Sequence, residues 1–484
     1  MNSLRLALRN LKRNRRRSLA TVLAMVVGGV SILLFGGYVQ NIVCGLQTDF
    51  VRAGGHLQLE HKDYYLYGSG DPTAYGIADE AHVIAMLEHD PVLAPMLLVV
   101  TPTLEFGGIA GNFAAGVSRT VYASGVIVAD QNAMQRWNDY GFPGEPDVLA
   151  LTGTRPDSAV IGLGVARVLQ LCTALKVHDC PQPSGSAATL ARESTNAPLP
   201  SDVAQLVDRE DAVDRRDAST TTSKIRPSRD AAPVAAPEIE LLAATTGGAP
   251  NVARLRVAKA IDLGVKEAND NYVGMHLPAA QRLLYGSAPP EVTAIVLQLR
   301  HTSDIPRAKQ RIETLLATTL EGAPLAVYDF RDLNPYYGQT VALFAAIFSF
   351  ISVLIGAIVL FTVGNTMNAA IVERTVEIGT LRAIGLRRGG VRRLFVSESL
   401  LLGVVGAVFG VLTALLLALL VNHSGLTWTP PGRVNPIHLH VRVWGEWTLI
   451  ASTGAGLLIV AVLSAWWPAR RAARLEVVEA LRHV

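Results

Sequence analysis

The chain has 484 residues, half of them hydrophobic, with a mean hydropathy of +0.31 and a formal charge of +3. That balance fits a chain that is part membrane and part soluble domain, and it excludes a uniformly buried one, which would be more apolar. A cationic surplus this small gives no argument for a nucleic-acid partner.

Four apolar stretches stand out, at residues 18–40, 340–364, 397–421 and 447–467. Each is close to the roughly 20 residues needed to cross about 30 Å of hydrocarbon as a helix. The first follows a basic tail, 1–17, that holds Arg5, Arg9, Lys12, Arg13, Arg15, Arg16 and Arg17. Its apolar core exceeds the roughly 7–15 residues of a signal-peptide core, and no small-x-small cleavage site follows, so it reads as an uncleaved anchor. Cys44 follows Val43, not the small residue that a lipidated cysteine needs before it.

Positive charge recurs at Arg374, Arg382, Arg387, Arg388, Arg392 and Arg393 after the second stretch, and at Arg470, Arg471, Arg474 and Arg482 after the fourth. The loop 422–446 has only Arg433 and Arg442. The positive-inside rule therefore puts both termini and the loop 369–393 in the cytoplasm, with the long segment after the first stretch outside. Trp444, Trp447, Trp466 and Trp467 at the ends of the fourth stretch, and Tyr336 and Tyr337 before the second, fit interfacial belts.

The long segment between the first two stretches has mixed α+β patterning. His56–Tyr65 and Met96–Phe106 read as strands around a helix that Asp79 caps. The order recurs downstream, with strand Glu291–Arg300, a helix from Ile305 to Leu320 capped by Asp304, and strand Leu325–Phe330. Residues 45–116 and 286–336 thus predict one α+β subdomain beside the membrane, and 117–180 with 238–285 a more distal, β-rich one. Residues 181–237 hold seven prolines and no aromatic residue. Such a stretch cannot bury enough apolar surface to offset its ordering entropy, so it reads as a disordered insertion. Cys172 and Cys180 lie in the exported part, where a bridge could persist, but spacing alone leaves pairing open.

Several chemistries find no support. There is no Gly-Lys dipeptide, so the chain has no phosphate-cradling G-x-x-x-x-G-K-[ST] loop. Gly162-x-Gly164 lacks the third glycine of a dinucleotide turn. His438 and His440, with His423 and Glu446 near them, fall short of a metal-ligand set, and no metal is expected. Gly406-x-x-x-Gly410 is a helix-packing pattern that fits a dimer seam or contacts within one subunit equally well. No ionised residue falls inside the last three stretches, and Glu398 stands just before the third. That argues against a carrier or channel lined by charge. No catalytic residue is expected.

The cytoplasmic loop is the most specific string. Val376, Ile378, Leu381 and Ile384 alternate with charge as in a short amphipathic helix, for which Gly385 is a plausible stop. Arg387 and Arg388 would then meet lipid phosphates. Topology alone explains the arginines but not Glu373 and Glu377.

The run Glu373-Arg374, Glu377-Ile378-Gly379-Thr380-Leu381-Arg382-Ala383-Ile384-Gly385 resembles the signature of the FtsX-like permease family, the membrane subunits of MacB-type and lipoprotein-releasing ABC systems. The tail Pro468–Leu475 with Glu479–Arg482, and the basic start Leu4–Arg17, are similar to that family's termini. The chain departs from it at Val477–Val478, where related tails often carry Asp-Pro, and in the insertion 181–237.

The resemblance implies a non-catalytic permease subunit in a bacterial inner membrane. It implies four transmembrane helices with a porter-like and a β-rich subdomain outside, between helices one and two. Glu373, Arg374, Glu377, Ile378, Gly379, Leu381, Arg382, Ala383 and Gly385 would form a coupling helix that docks on a cytoplasmic ABC ATPase, which binds the ATP. A second permease subunit, membrane lipids, and a periplasmic partner or lipoprotein cargo complete the implied partners. Export or lipoprotein release is the leading expectation. Mechanical control of an external partner such as a cell-wall hydrolase is the alternative.

Overall fold

The computed structural model describes residues 15–68, 71–142, 148–178, 180, 236–320, 322–429 and 436–474. The expectations for residues 1–14, for 181–235 of the insertion and for the tail beyond 474 lie outside the described residues.

Helix α1, Arg15–Gly54, has 40 residues. At 1.5 Å per residue it is about 60 Å long, roughly twice the hydrocarbon thickness. The apolar stretch 18–40 is thus only its first part, and the helix runs on to bury Cys44, Gln47, Thr48 and Val51. It enters β1, Leu57–His61, which is followed by α2, Glu80–His89, and by the 16-residue β2, Leu97–Asn112. Next come β3, Val117–Val126, α3, Val128–Gln135, β4, Ser158–Gly162, and α4, Leu163–Val168. Beyond a disulfide between Cys172 and Cys180 stand β5, Glu238–Ala244, β6, Pro250–Ile261, β7, Tyr272–His276, and α5, Leu277–Tyr285. Then β8, Ala294–Leu299, α6, Ile305–Thr318, and β9, Leu325–Asp329, lead back to the second long helix.

These strands make one sheet with two regions. In the order β9-β1-β8-β2 every neighbouring pair is antiparallel, so the two strand-helix-strand units interleave as in a split βαβ layer. Val83 and Leu87 of α2, with Ile305, Ala308, Ile312 and Leu315 of α6, bury against it. The two helices are bridged where Arg311 meets Asp90 at 2.6 Å.

Strand β2 then continues into the second region. Its residues Leu97–Thr103 pair with β8, and Leu104–Asn112 pair with β3. From there the order β2-β3-β7-β4-β6-β5 returns to β2, closing a six-strand ring without an edge. Leu104, Phe106, Ala123, Ile161, Leu241, Leu255 and Met275 are buried in its core.

Three local expectations change. The strand predicted to stop at Phe106 runs on to Asn112 because Gly107, Gly108 and Gly111, which carry no strand signal, still pair across the ladder with β3. Asp79 and Asp304 precede their helices without donating a side-chain cap. Asp79 has a left-handed backbone, and Asp304 is already helical, closing a 3₁₀ turn over Thr302–Asp304. The strand expected over His56–Tyr65 shortens to Leu57–His61 because Tyr64–Gly68 coils into a π turn.

The remaining chain is helical. Helix α7, Pro335–Glu373, is followed by α8, Thr375–Ala383, α9, Arg388–His423, and α10, Trp447–Ala472. Together α1, α7, α9 and α10 are the four helices long and apolar enough to cross a membrane. Helix α1 packs on α7 and α9, and α10 fills the other side of the same pair. Gly406 and Gly410 lie in the α9–α1 contact. A Cβ on Gly406 would stand 2.6 Å from that of Met25, and one on Gly410 would stand 3.7 Å from the Val26 backbone. The glycine pattern therefore serves packing within this chain.

Candidate functional site

The inner end of the bundle is built around a single break. Helix α7 ends at Glu373, Arg374 turns the chain, and α8 starts at Thr375. Arg374 is buried, and its Nη1 lies 3.3 Å from each carboxylate oxygen of Glu398 on α9. Both side chains are more than nine-tenths buried. A buried pair of this kind gains little over an apolar isostere, but removing one partner strands a charge. Its geometric effect is to tie the turn before α8 to the wall of α9.

Helix α8 is fixed at its other side by Ile378 and Gly379, both buried. Ile378 joins a cluster with Met367, Ile371, Val391, Phe395 and the Ala461, Ala465, Ala469 and Ala472 stripe of α10. Its end is a paired backbone cap: Leu386 N–H donates to the Leu381 carbonyl at 3.0 Å, and Gly385 N–H to that of Arg382 at 3.0 Å. This is the Schellman arrangement, which needs a left-handed residue at Gly385, where φ is +106°.

The nine residues singled out in this loop therefore divide. Arg374, Ile378 and Gly379 hold α8 to the bundle, and Gly385 ends it. Leu381 and Arg382 are half-buried, while Glu373, Glu377 and Ala383 are exposed. With Val376, Thr380 and the strongly exposed Ile384, the last three make an outward face of mixed apolar and acidic character. Glu398 was not among the expected residues. Its partner lies 24 positions away across a reversal, so no helical spacing signals the pair.

The outer end of α1 is held differently. His56 is fully buried, and its Nδ1 accepts from Leu299 N–H at 3.0 Å. That leaves Nε2 as the protonated nitrogen, 3.3 Å from Thr302 Oγ1. Gln47 of α1 donates to the same oxygen at 3.0 Å and accepts from the Tyr140 hydroxyl at 2.9 Å. Burial pushes the His56 imidazole down to about 4, against the pull of the Asp139 carboxylate. Arg442, in the loop between α9 and α10, donates to the Tyr140 carbonyl, and its own N–H meets the Gly37 carbonyl of α1. Side chains of α1, the α3 exit, the β8–α6 turn and the outer loop thus share one network.

Residues 341–477 match the family model described as FtsX-like permease C-terminal. An uncharacterised ABC transporter permease of Methanocaldococcus jannaschii is 26% identical over 223 residues, which is 45% of this chain and 52% of that protein. A pyoverdine export ATP-binding/permease protein of Pseudomonas savastanoi pv. phaseolicola is 30% identical over 224 residues, 44% of this chain and 30% of that protein. The macrolide export ATP-binding/permease protein MacB of Bdellovibrio bacteriovorus is 25% identical over 207 residues, 40% of this chain and 28% of that protein. The match thus spans about half of the first relative and less than a third of the other two. The α7–α10 part of the chain is an FtsX-like permease C-terminal domain, with α8 and its buried Arg374–Glu398 pair inside the matched residues.

Proposed function

We propose that this chain is the permease subunit of a MacB-like ABC export or lipoprotein-releasing system. A separate cytoplasmic ATPase would bind and hydrolyse ATP, and a second permease subunit would complete the membrane part. The matched family and the names of its relatives support the permease reading. The observation that carries the coupling role is α8 itself, a short helix anchored through Ile378 and Arg374 yet presenting Ile384 and Val376 outward. An anchored helix passes a push on to α7 and α9 without yielding. The positive-inside pattern puts α8 in the cytoplasm, and the strand domain outside the cytoplasmic membrane.

Among the described residues of the helical bundle, the only buried charges are Arg374 and Glu398 at its inner edge. A bundle without charge at its centre supports transmission of movement over passage of a polar cargo through it. The outer network around His56 is the place where such movement would reach the strand domain.

Affinity capture of the full chain from mildly solubilised membranes tests the reading. The expected result is a stoichiometric ABC ATPase that is lost from Ile384→Asp while the variant inserts normally. Absence of any ATPase from the wild-type capture overturns it. The extracytoplasmic protein captured with the pair then separates export, which brings cargo or an outer partner, from mechanical control of a cell-wall enzyme.

A further inference from the structure

The seam between the four-strand layer and the ring carries a group of oxygen-bearing side chains outside both sites above. Glu60 of β1 stands opposite Ala294 of β8, and Ala294 opposite Thr103 of β2. By the two-residue strand period, Glu60, Thr101, Thr103 and Glu105 share one sheet face. The methyl group of Ala294 leaves room between the two carboxylate-bearing strands.

Glu60 is 4% exposed, and its Oε2 is buried without a hydrogen-bond partner; the same holds for Oγ1 of Thr101. Glu105 accepts from the Tyr122 hydroxyl, and its carbonyl is reached by the Tyr64 hydroxyl at 3.5 Å. The backbone N–H of Glu105 is used by Thr293 Oγ1 at 2.9 Å. Burial first, and then the charge of Glu105, push the Glu60 carboxyl up to about 8. No Lys, Arg or His of the described chain offsets either carboxylate. Such a pair either shares a proton or takes a counter-charge.

We propose that Glu60 and Glu105 form a divalent-cation site of calcium type at this seam. The donors at hand are all oxygens, from two carboxylates and the hydroxyls of Tyr64, Tyr122 and Thr101, which select a hard ion over zinc or copper. Two carboxylates match a charge of +2. Carbonyl and water oxygens complete a shell that calcium tolerates in irregular geometry, whereas magnesium demands a near-ideal octahedron. Glu105 is only partly buried and Tyr122 is exposed, so the ion has a way in from solvent. An affinity of about 10⁻⁴–10⁻³ M, typical of extracellular modules, suits this modest ligand count.

The site would join two parts that move independently without it. β1 pairs only with β8 and β9, while Glu105 stands where β2 leaves β8 for β3. A bridging ion fastens the layer to the ring at that change of partner.

The test uses the full chain in detergent after chelator treatment, with terbium(III) as the luminescent calcium stand-in that nearby tyrosines sensitise. Emission is expected to saturate and to be displaced by calcium in the 10⁻⁴–10⁻³ M range, as at other such sites. Glu60→Gln and Glu105→Gln should each weaken it about tenfold or more, and about 5 mM calcium should raise the melting temperature of the wild type only. Stripped Glu60→Gln should melt at or above stripped wild type, which shows that the variant is folded. Emission unchanged in both variants, or a wild-type melting temperature indifferent to calcium, overturns the site and leaves a shared proton as the account of the pair.

Discussion

The two ends of the membrane helices are secured by opposite means. At the inner end one ion pair, Arg374–Glu398, holds the turn that leads into α8, and both side chains are more than nine-tenths buried. At the outer end no buried charge pair does this work. Neutral hydrogen bonds among Gln47, His56, Thr302 and Tyr140 share it, with the half-buried Arg442–Glu446 pair beside them. A charged contact in a low-dielectric place is all-or-none, because either partner alone is costly. A neutral network loses strength one bond at a time, each worth about 1 kcal/mol. The inner end is thereby built to stay rigid under load, and the outer end to yield by degrees.

The inner pair offers the largest test of that contrast. Arg374→Met should destabilise the solubilised chain by about 3–5 kcal/mol, since it leaves Glu398 charged and alone. The double variant Arg374→Met/Glu398→Leu should recover most of the loss, as apolar replacements of buried pairs often do. Unfolding of the full chain in detergent measures both. Equal losses in the single and double variants would show that the pair contributes by shape and not by charge.

Much of this arrangement was legible in the sequence, for identifiable reasons. The long apolar stretches survive any context, so four spanning helices follow from length and composition alone. Gly385 as a helix stop was legible because a left-handed cap has few alternatives to glycine. The run of charge and apolar residues over Glu373–Gly385 marked a short helix, but its periodicity could not say that Arg374 turns inward. That depends on Glu398, which a reversal of the chain brings alongside. The closed ring was hidden for a related reason, because Gly107, Gly108 and Gly111 remove the strand signal where β2 crosses from the layer into the ring. Both failures are of pairing at a distance, which local pattern does not record.

The outer network makes a smaller prediction, through pH. In the unfolded chain the His56 imidazole titrates near 6.5, and in the fold it is held down to about 4. Above about pH 6.5 both states are neutral and the full stability is present. As pH falls from there to about 4 the unfolded state takes up a proton that the folded state refuses, so stability declines by up to roughly 3 kcal/mol and then levels. His56→Gln should flatten that part of the curve, measured as the difference between variant and wild-type melting temperatures across this range. Parallel curves for the two proteins would mean that His56 is not neutral in the fold, and that the outer end also rests on charge.

The smallest effect sharpens the comparison within the inner end itself, between its charged and its neutral fastening. Gly385 holds φ at +106°, where an L side chain is strained, and nothing stands within 4 Å of the place a Cβ would take. Gly385→Ala thus tests backbone conformation without a clash, and should cost about 1 kcal/mol. That is well below the loss predicted for Arg374→Met, because the cap is a pair of neutral bonds at an exposed helix end and can fray while α8 remains anchored through Ile378. If the two variants instead lost equal stability, the cap and the ion pair would act as one unit, and α8 would have no independent end to present to a partner.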